Sequence, residues 1–253
     1  MDFTGKVVLL TGASSGIGAT SAKELAGFNA TLALVGRNVE RLNAVAKCCQ
    51  ERNGLEPLTI NLDLTEEGNC EEAIKRTINK FGKLNVLINC AGKLVLNSLF
   101  DENILSFDDL YKINLRVPYQ LMHLALPHLT KTKGNVILVA AGQSDVCLPG
   151  FLGYSIFNTA VERLVKAAAV DMSTVGVKVN AISVSLVKTN ALQNLNLSNE
   201  ESEMVYSELE KQRLIKALDP YDVAKMIIFV ASGVFPSING SNIYVNNSAT
   251  FMM

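Results

Sequence analysis

The residues best suited to chemistry come early, in Thr11-Gly12-Ala13-Ser14-Ser15-Gly16-Ile17-Gly18. Glycines at this spacing strip side chains from a tight turn, so that backbone can approach an anion closely. The apolar run Val7-Val8-Leu9-Leu10 precedes them, and Ile17, Ala22, Leu25 and Ala26 follow at helical period. Strand, glycine turn, helix is the context in which such a turn cradles the pyrophosphate of a dinucleotide against the first amides of the helix. Gly12, Ser14, Ser15, Gly16, Ile17 and Gly18 are therefore expected to bind a dinucleotide cofactor.

Other chemistries find little material. His123 and His128 are the only histidines, both in an amphipathic helical pattern, so metal sites and histidine-based triads are not expected. The five cysteines, at 48, 49, 70, 90 and 147, form no C-x-x-C pair, and Cys49 falls on the apolar stripe of a helix with Leu42, Val45 and Ala46. An odd count of thiols, with no charged and apolar leader before the first strand, implies reduced cysteines and a cytoplasmic location. A net charge of −1 gives no reason to expect nucleic acid or an anionic membrane as partner, and no apolar run approaches membrane-spanning length. An apolar fraction of 49% is ample for one large core.

The elements that must position the glycine turn alternate along the chain. Short apolar runs at Thr31–Val35, Leu58–Ile60, Val86–Ile88, Val136–Ala140, Val177–Ile182 and Asn242–Val245 read as strands of a sheet buried on both faces. Helical periods fall between them: Val39–Glu51, Glu66–Phe81 with Thr65 as N-cap, Phe107–Leu129 interrupted by Pro118, and Tyr154–Ser173. Residues 185–218 are polar and break the alternation, with only Glu200–Leu214 helical. Asp219-Pro220 then starts a helix running to about Val230. The pattern predicts residues 1–253 as one α/β domain, a doubly wound parallel sheet of the Rossmann type flanked by helices. Ligands bind such sheets at the carboxyl ends of the strands, where Gly12, Arg37, Asp63, Asn89, Ala141 and Ser183 fall.

In this order the motifs resemble those of the short-chain dehydrogenase/reductase family, from Lys6 to about Val245. Thr11-Gly12-x-x-x-Gly16-x-Gly18 matches the family's cofactor motif; Asp63-Leu64 matches its adenine-contacting pair. Asn89-Cys90-Ala91-Gly92 is similar to the family's Asn-Asn-Ala-Gly turn with one substitution. The resemblance implies cofactor contacts at Asp63, Leu64, Asn89, Ala91 and Gly92, and at Thr189, where the family contacts the nicotinamide carboxamide. NAD-binding members usually end the second strand on an acid that bonds the ribose 2′-OH. Gly36 and Arg37 stand there instead, and an arginine can bind a 2′-phosphate through charge-assisted hydrogen bonds, so NADP(H) is favoured over NAD(H).

The resemblance also implies a catalytic tetrad of asparagine, serine, tyrosine and lysine. Asn114 and Tyr154 stand at the first and third of these positions, with Tyr154 also against the cofactor. The lysine belongs four residues after the tyrosine, on the same helix face, where its ammonium lowers the phenol pKa and binds the nicotinamide ribose. Asn158 stands there, able to bond a ribose hydroxyl but uncharged. The serine belongs thirteen residues before the tyrosine, at Ala141, whose methyl donates nothing. The family's Pro-Gly turn after the sixth strand reads Val184-Ser185, and the glycine-rich end of the last strand reads Asn246-Asn247-Ser248.

These residues together imply a nicotinamide-binding oxidoreductase of a small carbonyl or alcohol, with ordinary activity impaired or absent. Two alternatives stand beside it. One is an active reductase with a rearranged site, in which Lys93 supplies the missing cation or Ser144 the missing hydroxyl. The other is a non-catalytic cofactor-binding protein that reports redox state. Residues 185–218 would cover the substrate, and the resemblance implies a homodimer or homotetramer. The stripe Ala160, Ala167 and Ala168 and the apolar end Phe251-Met252-Met253 are candidates for that contact.

Overall fold

The computed structural model describes residues 1–141, 149–195, 197–213 and 216–247. Its seven strands are β1 (Val7–Thr11), β2 (Thr31–Gly36), β3 (Leu58–Asn61), β4 (Val86–Asn89), β5 (Asn135–Ala141), β6 (Lys178–Val184) and β7 (Asn242–Val245). They form one parallel sheet in the order β3-β2-β1-β4-β5-β6-β7. Every residue of β1 and β4 is buried, as the continuous apolar runs predict for strands covered on both faces.

The two-residue period of the strands divides the core. Val8 and Leu10 face the layer built by α1 (Gly16–Gly27), α2 (Val39–Asn53) and, at the far end of the chain, α8 (Pro220–Ser232). Val7 and Leu9 face the opposite layer, formed by α3 (Asn69–Phe81), α5 (Val117–Thr132) and α6 (Leu152–Ser173). On α6 the row Val161, Val165, Ala169 and Met172 packs on the sheet, while Ala167 stays exposed.

Two local expectations need correction. Thr65 does not cap α3. Asp63 Oδ1 accepts from its backbone amide (3.0 Å) and its hydroxyl (2.7 Å), which closes a turn of its own. The helix begins later, behind Gly68 at φ +79°, a conformation glycine adopts without strain. Nor does Pro118 interrupt the long helix. It sits in the first turn of α5, and the backbone leading into it is already right-handed helical, so the helical path continues through it. The break lies earlier: α4 (Leu105–Leu110) runs into a π-helical stretch, Tyr111–Arg116, that carries Asn114.

After β6 a 3₁₀ turn (Asn190–Leu195) and α7 (Asn199–Arg213) cross the carboxyl ends of the strands before Asp219 caps α8 by accepting from the Tyr221 amide at 2.8 Å. Among the described residues no helix is long and apolar enough to cross a membrane, and no three His, Cys, Asp or Glu side chains group as metal ligands. Cys49 is core filler, and burial pushes its thiol up to about 12.

Candidate functional site

The chain leaves β1 toward β2 and β3 and returns to build β4 on the other side, so the sheet reverses between β1 and β4. A cleft of about 1000 Å³ opens there, over the carboxyl ends of the strands. It gathers every sequence-predicted site residue among those described: Gly12, Ser14 to Gly18, Arg37, Asp63, Leu64, Asn89, Ala91, Gly92, Asn114, Ala141, Tyr154, Asn158 and Thr189. Ser144, Ser248 and Phe251-Met252-Met253 lie outside the described residues.

Sterics require the glycines. A Cβ on Gly18 would stand 2.3 Å from the Gly12 carbonyl oxygen, and one on Gly12 2.8 Å from the Ala91 amide nitrogen. The turn after β1 is thus pressed against the turn after β4, which the Ala91 amide further ties by donating to Thr11 Oγ1 at 3.1 Å. At the start of α1, Ser15 makes no side-chain cap, so the first-turn amides keep their hydrogen-bonding capacity for a ligand in the cleft. Asn89 is 3% exposed, and both polar atoms of its amide lack a protein partner among the described residues. A glycine-stripped cradle, uncapped amides and an orphan carboxamide on one wall fit a dinucleotide with a pyrophosphate and ribose hydroxyls.

At the end of β2, an added Cβ on Gly36 would lie 3.1 Å from Ser14 Cβ, so a longer side chain fits only if Ser14 gives way. Arg37 is largely exposed and its guanidinium stands 3.3 Å from Asp63 Oδ2. Partial burial of Asp63 works to raise its pKa. The bonds from Thr65 and Arg37 together outweigh it, leaving the carboxyl below its ordinary value. Arg41, in the first turn of α2, also lines this end of the cleft, a residue the sequence reading missed although it follows Arg37 by four positions.

Asn114 holds backbone. Its Oδ1 accepts from the Lys93 amide at 2.9 Å and its Nδ2 donates to the Lys93 carbonyl at 3.0 Å. This fixes the turn after Gly92, while the Lys93 ammonium is taken up by Asp109 at 3.1 Å.

The far wall brings together Ala141, the last residue of β5, with Tyr154 and Asn158 on α6. Asn158 is 7% exposed. Its Oδ1 accepts from the Ala141 amide at 2.8 Å, and its Nδ2 donates to the Tyr154 carbonyl at 2.7 Å. The side chain thus staples the helix to the end of the strand. Desolvation raises the Tyr154 phenol above its ordinary value, and the hydrogen bond from Asn158 offsets this only in part.

Beyond β6, Ser185 binds the last strand, its amide to the Val245 carbonyl (3.3 Å) and its hydroxyl to the Asn246 carbonyl (3.2 Å). The next few residues pair with Leu218: Lys188 donates to its carbonyl at 3.0 Å, and its amide donates to Leu186 at 2.8 Å. Thr189 then packs over the glycine turn, with its Cβ and Cγ2 each 3.2 Å from where a Gly16 Cβ would lie. Buried Tyr206 of α7 reaches this same segment, and no spacing in the sequence announces it.

The family model described as enoyl-(acyl carrier protein) reductase matches residues 12–249. Among similar proteins, meso-2,3-butanediol dehydrogenase of Serratia marcescens is 29% identical over 251 residues, covering 99% of this chain and 96% of its own. L-fucose dehydrogenase of Rattus norvegicus is 32% identical over 232 residues, covering 91% and 84%. A Caenorhabditis elegans short-chain dehydrogenase/reductase of unknown function, solved with cofactor, superposes with TM-score 0.94 at 26% identity over 99% of this chain and 97% of its own.

Proposed function

The chain belongs to the short-chain dehydrogenase/reductase family, whose members pass a hydride between a nicotinamide cofactor and an alcohol or carbonyl carbon, and on that premise we propose that it binds NADP(H) with its proton-transfer machinery largely disarmed. One observation carries the second half of this reading. Where the family resemblance places a lysine, Asn158 is buried and engaged at both ends by backbone.

When bound, the cofactor supplies the hydride; the chain's residues must hold it and manage the proton. The glycine turn and the uncapped amides of α1 receive the pyrophosphate, and Asn89 and Asp63 take the adenosine half. Arg37, backed by Arg41, offers a cation to a 2′-phosphate, and the tight fit of Gly36 against Ser14 disfavours the acid that would bond a bare 2′-OH. Asn114 shapes the turn at Lys93, and Thr189 closes the nicotinamide end.

Reduction of a carbonyl needs a donor for the oxygen, and Tyr154 is that donor. Its raised pKa keeps the proton on at neutral pH, yet among the described residues no cation stands beside it to stabilise the tyrosinate left behind. Ala141 offers no hydroxyl to orient the carbonyl. General acid–base assistance contributes about 10²–10⁴-fold, and this site gives up much of that range. The substrate is a small carbonyl or alcohol, covered by residues 185–218 acting as a lid, and the protein assembles as a homodimer or homotetramer.

Titration with NADPH and NADH, followed by cofactor fluorescence, tests the binding half. NADPH is expected to bind at least tenfold tighter, and equal affinities overturn the preference. A panel of ketones, aldehydes and secondary alcohols tests the other half. Rates of at least about 1 s⁻¹, ordinary for enzymes, overturn the impairment. Tight NADPH binding with no turnover marks a protein that works by carrying its cofactor.

A further inference from the structure

The segment that brings Thr189 to the glycine turn is held from above by one side chain. Tyr206 lies in the middle of α7 and is 4% exposed. Its phenol oxygen accepts from the Thr189 amide at 3.2 Å, and its hydrogen is shared between the carbonyls of Val187 and Thr189, each 3.0 Å away. A single hydroxyl therefore satisfies both backbone groups of Thr189 and one of Val187.

The rest of α7 adds little grip. Of its described side chains only Ser202 and Tyr206 are buried, one helical turn apart, and the Ser202 hydroxyl has no partner among the described residues. The pair Lys188–Glu203, at 3.6 Å, lies in solvent, where such pairs contribute little. Glu210 accepts from the Ala217 amide at 2.7 Å, which ties the end of α7 to the strand-like stretch at Leu218 but not to Thr189.

We propose that Tyr206 is a positioning residue for the cofactor, coupling the lid helix α7 to Thr189 and so governing how long the cofactor is retained. The inference rests on the cofactor reading above. With the phenol in place, Thr189 stands against Gly16 and α7 lies over the cleft as one unit with residues 186–191. Without it, the Thr189 amide and two carbonyls lose their partner, and the segment can lift from the glycine turn while the sheet stays intact.

Tyr206→Phe keeps the ring and removes only the hydroxyl, so packing is preserved. One lost hydrogen bond network of this kind corresponds to about a five- to tenfold effect on an equilibrium. The variant is expected to bind NADPH five- to tenfold more weakly, mostly through faster release, with its melting temperature in the absence of cofactor nearly unchanged. Lys188→Ala, which breaks the exposed pair on the same segment, is expected to change affinity less than twofold. A Tyr206→Phe protein that binds and releases NADPH as the unmodified protein does overturns the proposal and leaves the cofactor reading standing. An unmodified protein that binds neither NADPH nor NADH overturns both. Hydrogen exchange on the unmodified protein provides a measurement independent of any variant. Amides of 186–191 and α7 are expected to gain protection together on NADPH binding, and independent exchange of the two stretches overturns the coupling.

Discussion

The two walls of the cleft use polar groups in opposite ways. On the wall built by β1, β2, β4 and α1, polar capacity is left open. The first amides of α1 have no cap, the Asn89 carboxamide has no protein partner among the described residues, and Arg37 stands largely in solvent. On the wall built by β5 and α6, polar capacity is consumed internally, with Asn158 stapling Ala141 to Tyr154. An open wall is built to receive a ligand. A wall that satisfies itself is built to hold its own shape, and side chains so engaged have little left for a reacting group. The proposed loss of proton-transfer machinery rests on this contrast between the two walls.

The largest test of that contrast is to rebuild the closed wall. Asn158→Lys with Ala141→Ser is expected to raise carbonyl reductase turnover by about 10²–10⁴-fold, the range general acid–base groups supply. The pH profile gives a second reading. Alcohol oxidation needs Tyr154 deprotonated, and burial holds its pKa above the ordinary 10. Oxidation by the unmodified protein should therefore keep rising past pH 10, whereas a neighbouring ammonium should bring the inflection down. A double variant that binds NADPH normally and stays inactive would place a further block at Val184-Ser185 or in the lid.

Next in size is an attack on the open wall. Gly18→Ala puts a Cβ 2.3 Å from the Gly12 carbonyl oxygen, a contact only backbone movement can relieve. Overpacking of this kind costs about 1–3 kcal/mol, and a lower melting temperature together with loss of measurable NADPH binding is expected. An alanine variant that binds as tightly as glycine would show that the close approach of the two turns is unnecessary.

Much of the open wall was legible in the sequence, because its function is written in local backbone demands. Glycine spacing, flanking strand and helix periods, and Arg37 at a strand end all act within a few residues of each other, and the sheet follows from continuous apolar runs such as Val86–Ile88. The closed wall was legible only as an absence at Ala141 and Asn158. That Asn158 turns its amide onto backbone 17 residues away is a tertiary fact with no local signature. The π-helical stretch under Asn114 escaped for a related reason. It winds an extra residue into an otherwise helical pattern, a local phase shift that a single helical period read across Phe107–Leu129 does not separate. Tyr206 stands in a charged helix where no spacing singles it out, and only the fold brings its phenol to Thr189.

Arg37→Ala sharpens the contrast at the open wall's edge. Charge-assisted bonds contribute about 1.5–3 kcal/mol, so NADPH affinity is expected to fall about 10- to 100-fold with NADH affinity nearly unchanged. The exposed guanidinium should contribute little to the fold, and the melting temperature without cofactor should barely move. Equal losses for the two cofactors would instead make Arg37 a contact to something they share.

The smallest effect concerns the partner of that arginine. Asp63 holds Thr65 and Arg37, and its folded pKa lies below its ordinary value. A depressed carboxyl stabilises the fold above its unfolded pKa, near 4, and that contribution disappears as the pH falls through the lower, folded value. Arg37 is mostly in solvent, so the ion pair itself contributes no more than about 1 kcal/mol. Asp63→Asn is thus expected to be slightly less stable than the unmodified protein in urea at pH 7, with the gap closing as the pH drops below about 4. A gap that persists unchanged in acid would mean that the carboxylate charge contributes nothing and that Asp63 holds its turn by shape alone. The same substitution frees Arg37 from its only charged partner among the described residues. If the open wall keeps its cation for a ligand, NADPH should then distinguish itself from NADH at least as strongly as before, because the guanidinium is no longer shared between a carboxylate and a phosphate.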